Sequence, residues 1–396
     1  MAATKLWTRK FILLLLVHLL LNLAFYMIAP ILPSFTEKVN AKNVLSMAVV
    51  IFIMPSYVAR LITGFLCDRC RNKGTKIIGL MAIGLMIISF IGYSEVHNGE
   101  QLLLCRALHG ISYGMAIPPI SGYLARFIPE ERSISGHASQ SAAGNLGMII
   151  GSVLSLYLDE KKFLGDTFVV GAMAVIIGLI LMVFVPVPVS KEKIVSVGKV
   201  ISVSHQMKTS EVVKKVMPFG LIMCSVLVYS AGVTTYIQKY TNEMGYIGRN
   251  SSYMAVNTAV ILFSSLIVVW GGKKIGHGRL TVMAFFCFAV GIVGLSIKSL
   301  TMFYLAAIAN GIGTSFLSAP IRARAMESLP DERRPLGSSV YYTIYDGGAS
   351  ACVLYGMAGD RWGYQQAPLS LSIFVAIGGF LAIQKMRKKN TLLTFG

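Results

Sequence analysis

The chain has 396 residues, of which 55% are hydrophobic and 13% charged, and its mean hydropathy is +0.67. Soluble domains carry about 25% charged residues and about 50% apolar ones at most, so this composition excludes a soluble enzyme, a disordered chain and a disulfide scaffold. The net charge of +19 can indicate a nucleic acid, a membrane surface or an acidic substrate as partner. In so apolar a chain, the excess of Lys and Arg in cytoplasmic loops of membrane proteins is the first explanation.

Twelve apolar runs predict twelve membrane-spanning helices, because about 20 apolar residues in a helix cross roughly 30 Å of hydrocarbon. Lipid offers no partners to backbone N–H and C=O groups, so we expect each run to be helical. The first run follows three basic residues, as in a signal peptide, but it is too long and lacks a cleavage site, so we expect it to be retained. The predicted spans are 11–33, 45–66, 77–94, 100–122, 138–158, 167–186, 216–238, 251–272, 280–298, 302–322, 336–358 and 367–384.

The basic residues predict the orientation of these spans. With the amino terminus inside, 26 of the 36 Lys and Arg fall in inside segments and 8 in outside loops. This split predicts that both termini are cytoplasmic, and it accounts for the positive charge without nucleic acid. The longest connection divides the chain into a six-helix bundle (1–186), a cytoplasmic linker (187–215) and a second six-helix bundle (216–396).

The two halves resemble each other at an offset of 201 residues. Nine of 38 positions between Gly110 and Gly147 are identical to the second half, where chance gives about two or three. An even helix count keeps both halves in the same orientation, which is typical of transporters whose halves rock around a central site. The identical pairs are 110/311, 111/312, 119/320, 120/321, 129/330, 131/332, 132/333, 136/337 and 147/348.

The loop after span 2, residues 64–73, resembles the signature G-x-L-x-D-R-x-G-R-K of the major facilitator superfamily, and on this resemblance the whole chain is identified as a member. The resemblance implies that Gly64, Asp68, Arg69 and Lys73 latch the two halves on the cytoplasmic side; the alternative is a solvated loop with ordinary basic charge. Gly64 permits close helix contact. The counterpart after span 8 has Lys273 where the acid would be, so we expect the second latch to be degenerate.

Four further segments resemble family patterns. Span 4 contains Arg106 and His109 in a segment similar to L-x-x-x-R-x-x-Q-G of proton-linked transporters, with His109 in place of Gln. Arg106 is costly there unless it faces a cavity or a partner, although it could also reach the surface. His109 could titrate near neutrality or be a hydrogen-bonded core residue.

In span 5, Gly147 and Gly151 match part of the antiporter pattern, but they also form a G-x-x-x-G packing face. The turns 129–132 and 330–333 resemble the family's P-E-x-R turn, and we expect them to be exposed.

The resemblance implies that spans 1, 4, 7 and 10 line a central site. His18, Asn22 and Tyr26 share one helical face, because they recur every four residues.

Asp346 in span 11 is the most deeply placed acid, and burial would let it hold a proton at physiological pH. We expect Asp346, with Arg106 and His109, to couple proton movement to substrate movement; the alternative is an Asp that caps or pairs near the cytoplasmic gate. Arg60 is expected to extend to the inner surface. The remaining pathway candidates are Tyr113, Tyr229, Tyr236, Asn310, Tyr341 and Tyr345.

These patterns predict an all-α integral membrane protein with twelve transmembrane helices, the major facilitator fold and two pseudo-symmetric six-helix bundles. The resemblance to the bacterial drug and metabolite efflux branch implies a secondary transporter that exports a small molecule by alternating access, coupled to proton antiport. The alternatives are an importer, symporter or facilitator of the same fold, and a flippase for lipid headgroups. No nucleotide-binding or hydrolase motif indicates an enzyme, and no cofactor or metal is expected, since the Cys67-x-x-Cys70 pair stands alone. We expect a monomer in the cytoplasmic membrane whose partners are substrate, protons and lipid, and not nucleic acid.

Overall fold

The computed structural model describes residues 5–41, 44–161, 163–187, 207–246 and 249–390, and within these ranges the chain forms helices and turns. Two short 3₁₀ turns, Glu130–Arg132 and Asp331–Arg333, precede α5 and α11. The helices are α1 (Arg9–Ile28), α2 (Leu32–Lys38), α3 (Leu45–Ser94), α4 (Gly99–Phe127), α5 (Ser133–Glu160), α6 (Leu164–Phe184), α7 (Thr209–Met244), α8 (Asn250–Ile275), α9 (His277–Ser296), α10 (Leu300–Glu327), α11 (Arg334–Ser350), α12 (Val353–Trp362), α13 (Ala367–Ser370) and α14 (Ser372–Asn390).

Local side-chain and backbone chemistry sets several helix ends. The Asn98 side chain accepts a hydrogen bond from the Gln101 backbone N–H at 3.0 Å and so caps the start of α4. Thr8 caps α1 in the same way through the N–H of Phe11. Gly245 ends α7 with φ 77°, a left-handed conformation that glycine adopts without steric cost.

The predicted spans 2 and 3 form one continuous helix, α3, through the segment that was expected to be a loop. The Thr75 hydroxyl donates to the Cys67 carbonyl at 3.1 Å. In a straight helix, eight residues cover about 12 Å, so α3 must bend sharply between these two residues. Its two legs, Met47–Cys70 and Lys73–Ser94, are each long and apolar enough to cross a membrane.

Ten stretches of the described residues meet the length and apolarity of a membrane span, and the other two predicted spans correspond to α4 and to the α11–α12 pair. The predicted span 336–358 is broken at Ala351 and Cys352, between α11 and α12. Both α4 and α11 line the interior of the bundle with polar and small residues, which makes them less apolar than helices that face lipid. The twelve-helix fold with two bundles is therefore confirmed.

The buried apolar side chains form two clusters that follow the two halves. One cluster runs from Leu6 to Val185, and the other from Val212 to Ala382 with three residues of the first half. The internal repeat is visible in the contacts: Phe52 packs on His109 in the first half, and at the same offset the Tyr253 hydroxyl pairs with Asn310 in the second. Most of the predicted linker, residues 188–206, lies outside the described residues; its last part, from Thr209, already belongs to α7.

Candidate functional site

A cavity of about 210 Å³ lies between the two halves at the centre of the bundle. Helices α1, α4 and α5 of the first half and α8, α10 and α11 of the second contribute to its wall, whereas α7, which the family resemblance implied, does not. Apolar side chains of Leu21, Ala116, Ile117, Ile120, Met148 and Ile261 form part of the wall. The polar lining residues are His18, Asn22, Tyr26, Tyr113, Ser121, Gln140, Ser141, Asn145, Thr314, Ser315, Ser318, Arg322, Tyr342, Tyr345 and Asp346.

The polar face of α1 is part of this wall. The Asn22 side-chain amide donates to the His18 carbonyl at 2.8 Å, one turn earlier, which fixes the amide along the helix. Opposite this face, α5 approaches so closely that a Cβ on Gly144 would lie 3.2 Å from the His18 ring. Gly147 and Gly151 press against the α1 backbone, which matches the packing interpretation of the G-x-x-x-G pattern.

Asp346 joins the two halves at the cavity wall. Its carboxylate forms an ion pair with Arg60 of α3, and its backbone carbonyl accepts a hydrogen bond from the Tyr57 hydroxyl at 2.9 Å. Arg60 is only 2% exposed, so the expectation that it extends to the surface was wrong. Its guanidinium is held inside by the carboxylate, because a buried charge is stable only with a partner. The Ser339 hydroxyl of α11 also donates to the Arg60 carbonyl, at 2.7 Å.

Arg322 is a cavity residue that the sequence interpretation left at the inner end of the predicted span 302–322. Helix α10 continues to Glu327, so Arg322 lies more than one turn inside it. Its guanidinium donates to the Ser141 hydroxyl at 3.3 Å and stacks over the Tyr342 ring, 5.1 Å from the centroid. The signal available in the sequence was the helical continuation after Pro320, with no helix-ending residue before Arg322.

Gln140 is the second cavity residue that the sequence interpretation missed. It lies on α5, is fully buried, and its amide donates to the Ser121 hydroxyl at 3.2 Å and to the Tyr342 hydroxyl at 3.4 Å. The second bond links the first half to the second. No sequence signal marks Gln140 beyond its polarity within an apolar span.

Arg106 and His109 lie away from the cavity wall, contrary to the expectation that they act with Asp346. The Arg106 Nε donates to the Ala48 carbonyl at 3.0 Å, and its guanidinium stacks over Phe52 at 4.6 Å. His109 is completely buried and pairs with the Tyr93 hydroxyl at 3.3 Å. Both side chains point from α4 into the aromatic core of the first half, because that face of α4 packs against α3.

Four more candidates lie behind the wall. Tyr229 donates to the Asn310 side chain at 3.2 Å, and Asn310 donates to Tyr253 at 3.1 Å, which closes a buried polar cluster inside the second half. Tyr236 stacks on Tyr355 with centroids 6.1 Å apart. Tyr341 is fully buried. These side chains face neighbouring helices of their own half, so they pack rather than line the cavity.

The two halves also meet at the end of the bundle that carries Asp68 and the turns at Pro129 and Pro330, which we call the basic end. Asp68 forms an ion pair with Arg333, so the turn at Pro330 is not simply exposed. Arg126 Nε donates to the Asp331 carbonyl at 2.5 Å, and Arg334 donates to the Ala125 carbonyl at 2.6 Å.

Glycines bring the helix backbones together at the same end. Gly64 faces Ser339, Gly122 faces Pro335, and Gly272 faces Ile134, each across the boundary between the halves. Arg69 and Lys73, the other two predicted latch residues, have exposed side chains. Among the residues that the structure describes, no group of three His, Cys, Asp or Glu side chains could hold a metal ion.

The chain is similar to known membrane transporters. The family model described as "Major Facilitator Superfamily" matches residues 14–353 and 251–395. Over 170 residues the chain is 24% identical to "Quinolone resistance protein NorA" of Staphylococcus aureus (strain Mu50 / ATCC 700699), a match that covers 43% of each chain. The fold matches the outward conformation of FucP from E. coli with a TM-score of 0.78 and 14% identity, covering 96% of this chain and 99% of that one. It matches the human organic anion transporter MFSD10 (TETRAN) with a TM-score of 0.75 and 14% identity, covering 94% and 99%.

Proposed function

This chain belongs to the major facilitator superfamily, and we propose that it is a secondary active transporter that exports a small molecule in exchange for protons. It is a multi-pass membrane transporter. We propose the direction of transport, the coupling ion and the cytoplasmic location of both termini. The observation that carries the proposal is the ion pair between Arg60 and Asp346, because it places a carboxylate in the cavity wall and joins it to the opposite half.

The position of the cavity supports alternating access. Both halves contribute to its wall, so rocking one half against the other would open it first to one side and then to the other. At the basic end the halves are joined by Asp68–Arg333 and by the Arg126 and Arg334 hydrogen bonds. These contacts must break before the cavity can open at that end. The excess of basic residues there favours a cytoplasmic location, so the described conformation would be closed to the cytoplasm.

Asp346 offers a direct means of coupling. A proton on its carboxylate would remove the negative charge that pairs with Arg60 and would weaken the link between α3 and α11. A buried Arg60 without its partner is unfavourable, which would drive a rearrangement or release of the proton. Asp346 is 28% exposed and lines the same cavity that would hold the substrate, so protonation and substrate binding would both act on the link between the two halves. If the halves rock only with a proton or a substrate bound, one species leaves as the other enters, which is exchange.

The similarity to NorA supports export and supplies a probe, a fluorescent quinolone. We would reconstitute the protein in liposomes, select the population whose basic end faces outward, and impose an acidic interior. The wild type should then accumulate the quinolone. Asp346→Asn should only equilibrate it, because the exchangeable proton is lost, while Asp360→Asn, an exposed carboxylate on α12, should behave as the wild type.

Accumulation with an acidic exterior, and none with an acidic interior, would indicate proton symport and therefore import instead. Asp346→Asn vesicles that accumulate quinolone as the wild type does would refute the role of Asp346 in coupling.

A further inference from the structure

The charges around the central cavity are not balanced. Asp346 is the carboxylate of the cavity wall, and its charge is matched by Arg60. Arg322, the cation of the same wall, forms an ion pair with no carboxylate among the described residues. With the Asp346–Arg60 pair neutral, the site keeps one net positive charge.

The surroundings of Arg322 do not satisfy its guanidinium. The residue is nine-tenths buried, with 9% of its surface exposed. One N–H group reaches the Ser141 hydroxyl, the Tyr341 hydroxyl interacts with the guanidinium, and its plane stacks over Tyr342, but the buried Nε has no hydrogen-bond partner. A guanidinium carries five N–H donors in a planar fork. A buried charge with unused donors is costly, and an anion placed in the cavity would remove that cost.

We propose that the cavity binds a small organic anion whose carboxylate, or a similarly planar acidic group, pairs with Arg322. This proposal rests on the cavity being the transport site proposed above. A carboxylate matches the fork of Arg in a two-point contact that a lysine does not provide. The rest of the ligand would lie against Tyr26, Tyr113 and Tyr345 and the apolar side chains of the wall. The substrate class is therefore an amphipathic anion with a flat or apolar body.

A cationic substrate fits the same wall poorly. The carboxylate that would attract it already holds Arg60, and the uncompensated charge of Arg322 would repel it. The tyrosine rings alone would accept a cation, but they share the wall with this guanidinium, and Tyr342 is already covered by it.

Three probes with one ring system and different charges test the proposal: naphthoate, naphthylmethanol and naphthylmethylammonium. Their binding to the purified full-length protein is measured by titration calorimetry at neutral pH, with no gradient present. The wild type should bind naphthoate more tightly than the neutral alcohol, and the ammonium most weakly. Arg322→Gln should weaken naphthoate binding by about ten- to a hundredfold, because a charge-assisted hydrogen bond is lost. Arg322→Lys should fall between the two.

The controls separate this proposal from misfolding and from proton coupling. Arg324→Gln removes a cation two residues away on the same helix, outside the cavity wall, and should leave naphthoate binding unchanged. Thermal unfolding of each ligand-free variant shows that it is folded. Asp346→Asn should still bind naphthoate, so a failure of the proposed proton exchange would leave this result intact. Equal affinity for naphthoate and the ammonium, no naphthoate binding at millimolar concentration, or unchanged binding in folded Arg322→Gln would each overturn the proposal.

Discussion

Replacing Gly64 with alanine should open the basic end of the transporter. Gly64 lies where α3 crosses α11, and an added Cβ would stand 2.5 Å from the Ser339 Cβ and 2.6 Å from its hydroxyl. Ordinary contact begins at 3.4 Å, so the approach is 0.9 Å too close. Ser339 cannot turn away freely, because its hydroxyl donates to the Arg60 carbonyl at 2.7 Å.

The size of the effect follows from the cost of forcing extra atoms into a packed contact, about 1–3 kcal/mol. The substitution raises the free energy of the conformation in which α3 and α11 are in contact. The ratio of open to closed molecules at the basic end should therefore rise by about 5- to 150-fold. Gly84→Ala is a matched control on the same helix, since a Cβ there meets nothing within 4 Å. Both substitutions raise helix propensity by about 1 kcal/mol, so their difference isolates the contact with Ser339.

Double electron–electron resonance between two spin labels would measure the opening. The labels would be attached at Arg69 and Lys274, exposed positions on opposite halves, in a variant that lacks the six native cysteines. Gly64→Ala should increase the population at long separations, and Gly84→Ala should match the parent. The reasoning is refuted if Gly64→Ala leaves the distance distribution unchanged, or if the control shifts it equally.

Two other substitutions test the described contacts. Asp68→Asn removes the charge that pairs with Arg333, and we expect quinolone exchange in liposomes to slow by about tenfold or more. The same change at the exposed carboxylate of α12, Asp360→Asn, should keep the wild-type rate; equal rates for the two variants would contradict the latch. His109→Phe keeps the aromatic packing but removes the hydrogen bond between His109 and the Tyr93 hydroxyl, so thermal unfolding should show a loss of about 1 kcal/mol. The pH dependence of transport should stay unchanged; a shifted pH profile would return His109 to the proton pathway.

The fold followed from the sequence because it depends on patterns that are local or periodic. Apolar runs gave the spans, and the offset of 201 residues gave the two bundles. The exceptions are also physical: α3 stays helical through its bend, and α11 ends at Ser350 within a predicted span. Neither event alters the apolar pattern, so hydropathy does not reveal it.

The site was harder to predict, because polarity within a span does not tell which way a helix is turned. His18, Asn22 and Tyr26 lie in the cavity wall, where three polar residues at helical spacing defined a face. Arg106, a single charge without such a stripe, points into the core instead. Arg60 was misjudged because its partner is 286 residues away in sequence, and only the packing of α3 on α11 brings the two together.

The pairing of Arg60 with Asp346 has a consequence for how the protein can change over evolution. Each half supplies one member of the pair. Replacing one half with that of a related transporter would therefore break the pair if the related half has an apolar residue at position 60 or 346. A chimaera made that way would trap a lone charge in the lipid-enclosed interior and should be recovered only after a second replacement that neutralises the remaining member. We therefore expect positions 60 and 346 to change together among transporters related to this chain.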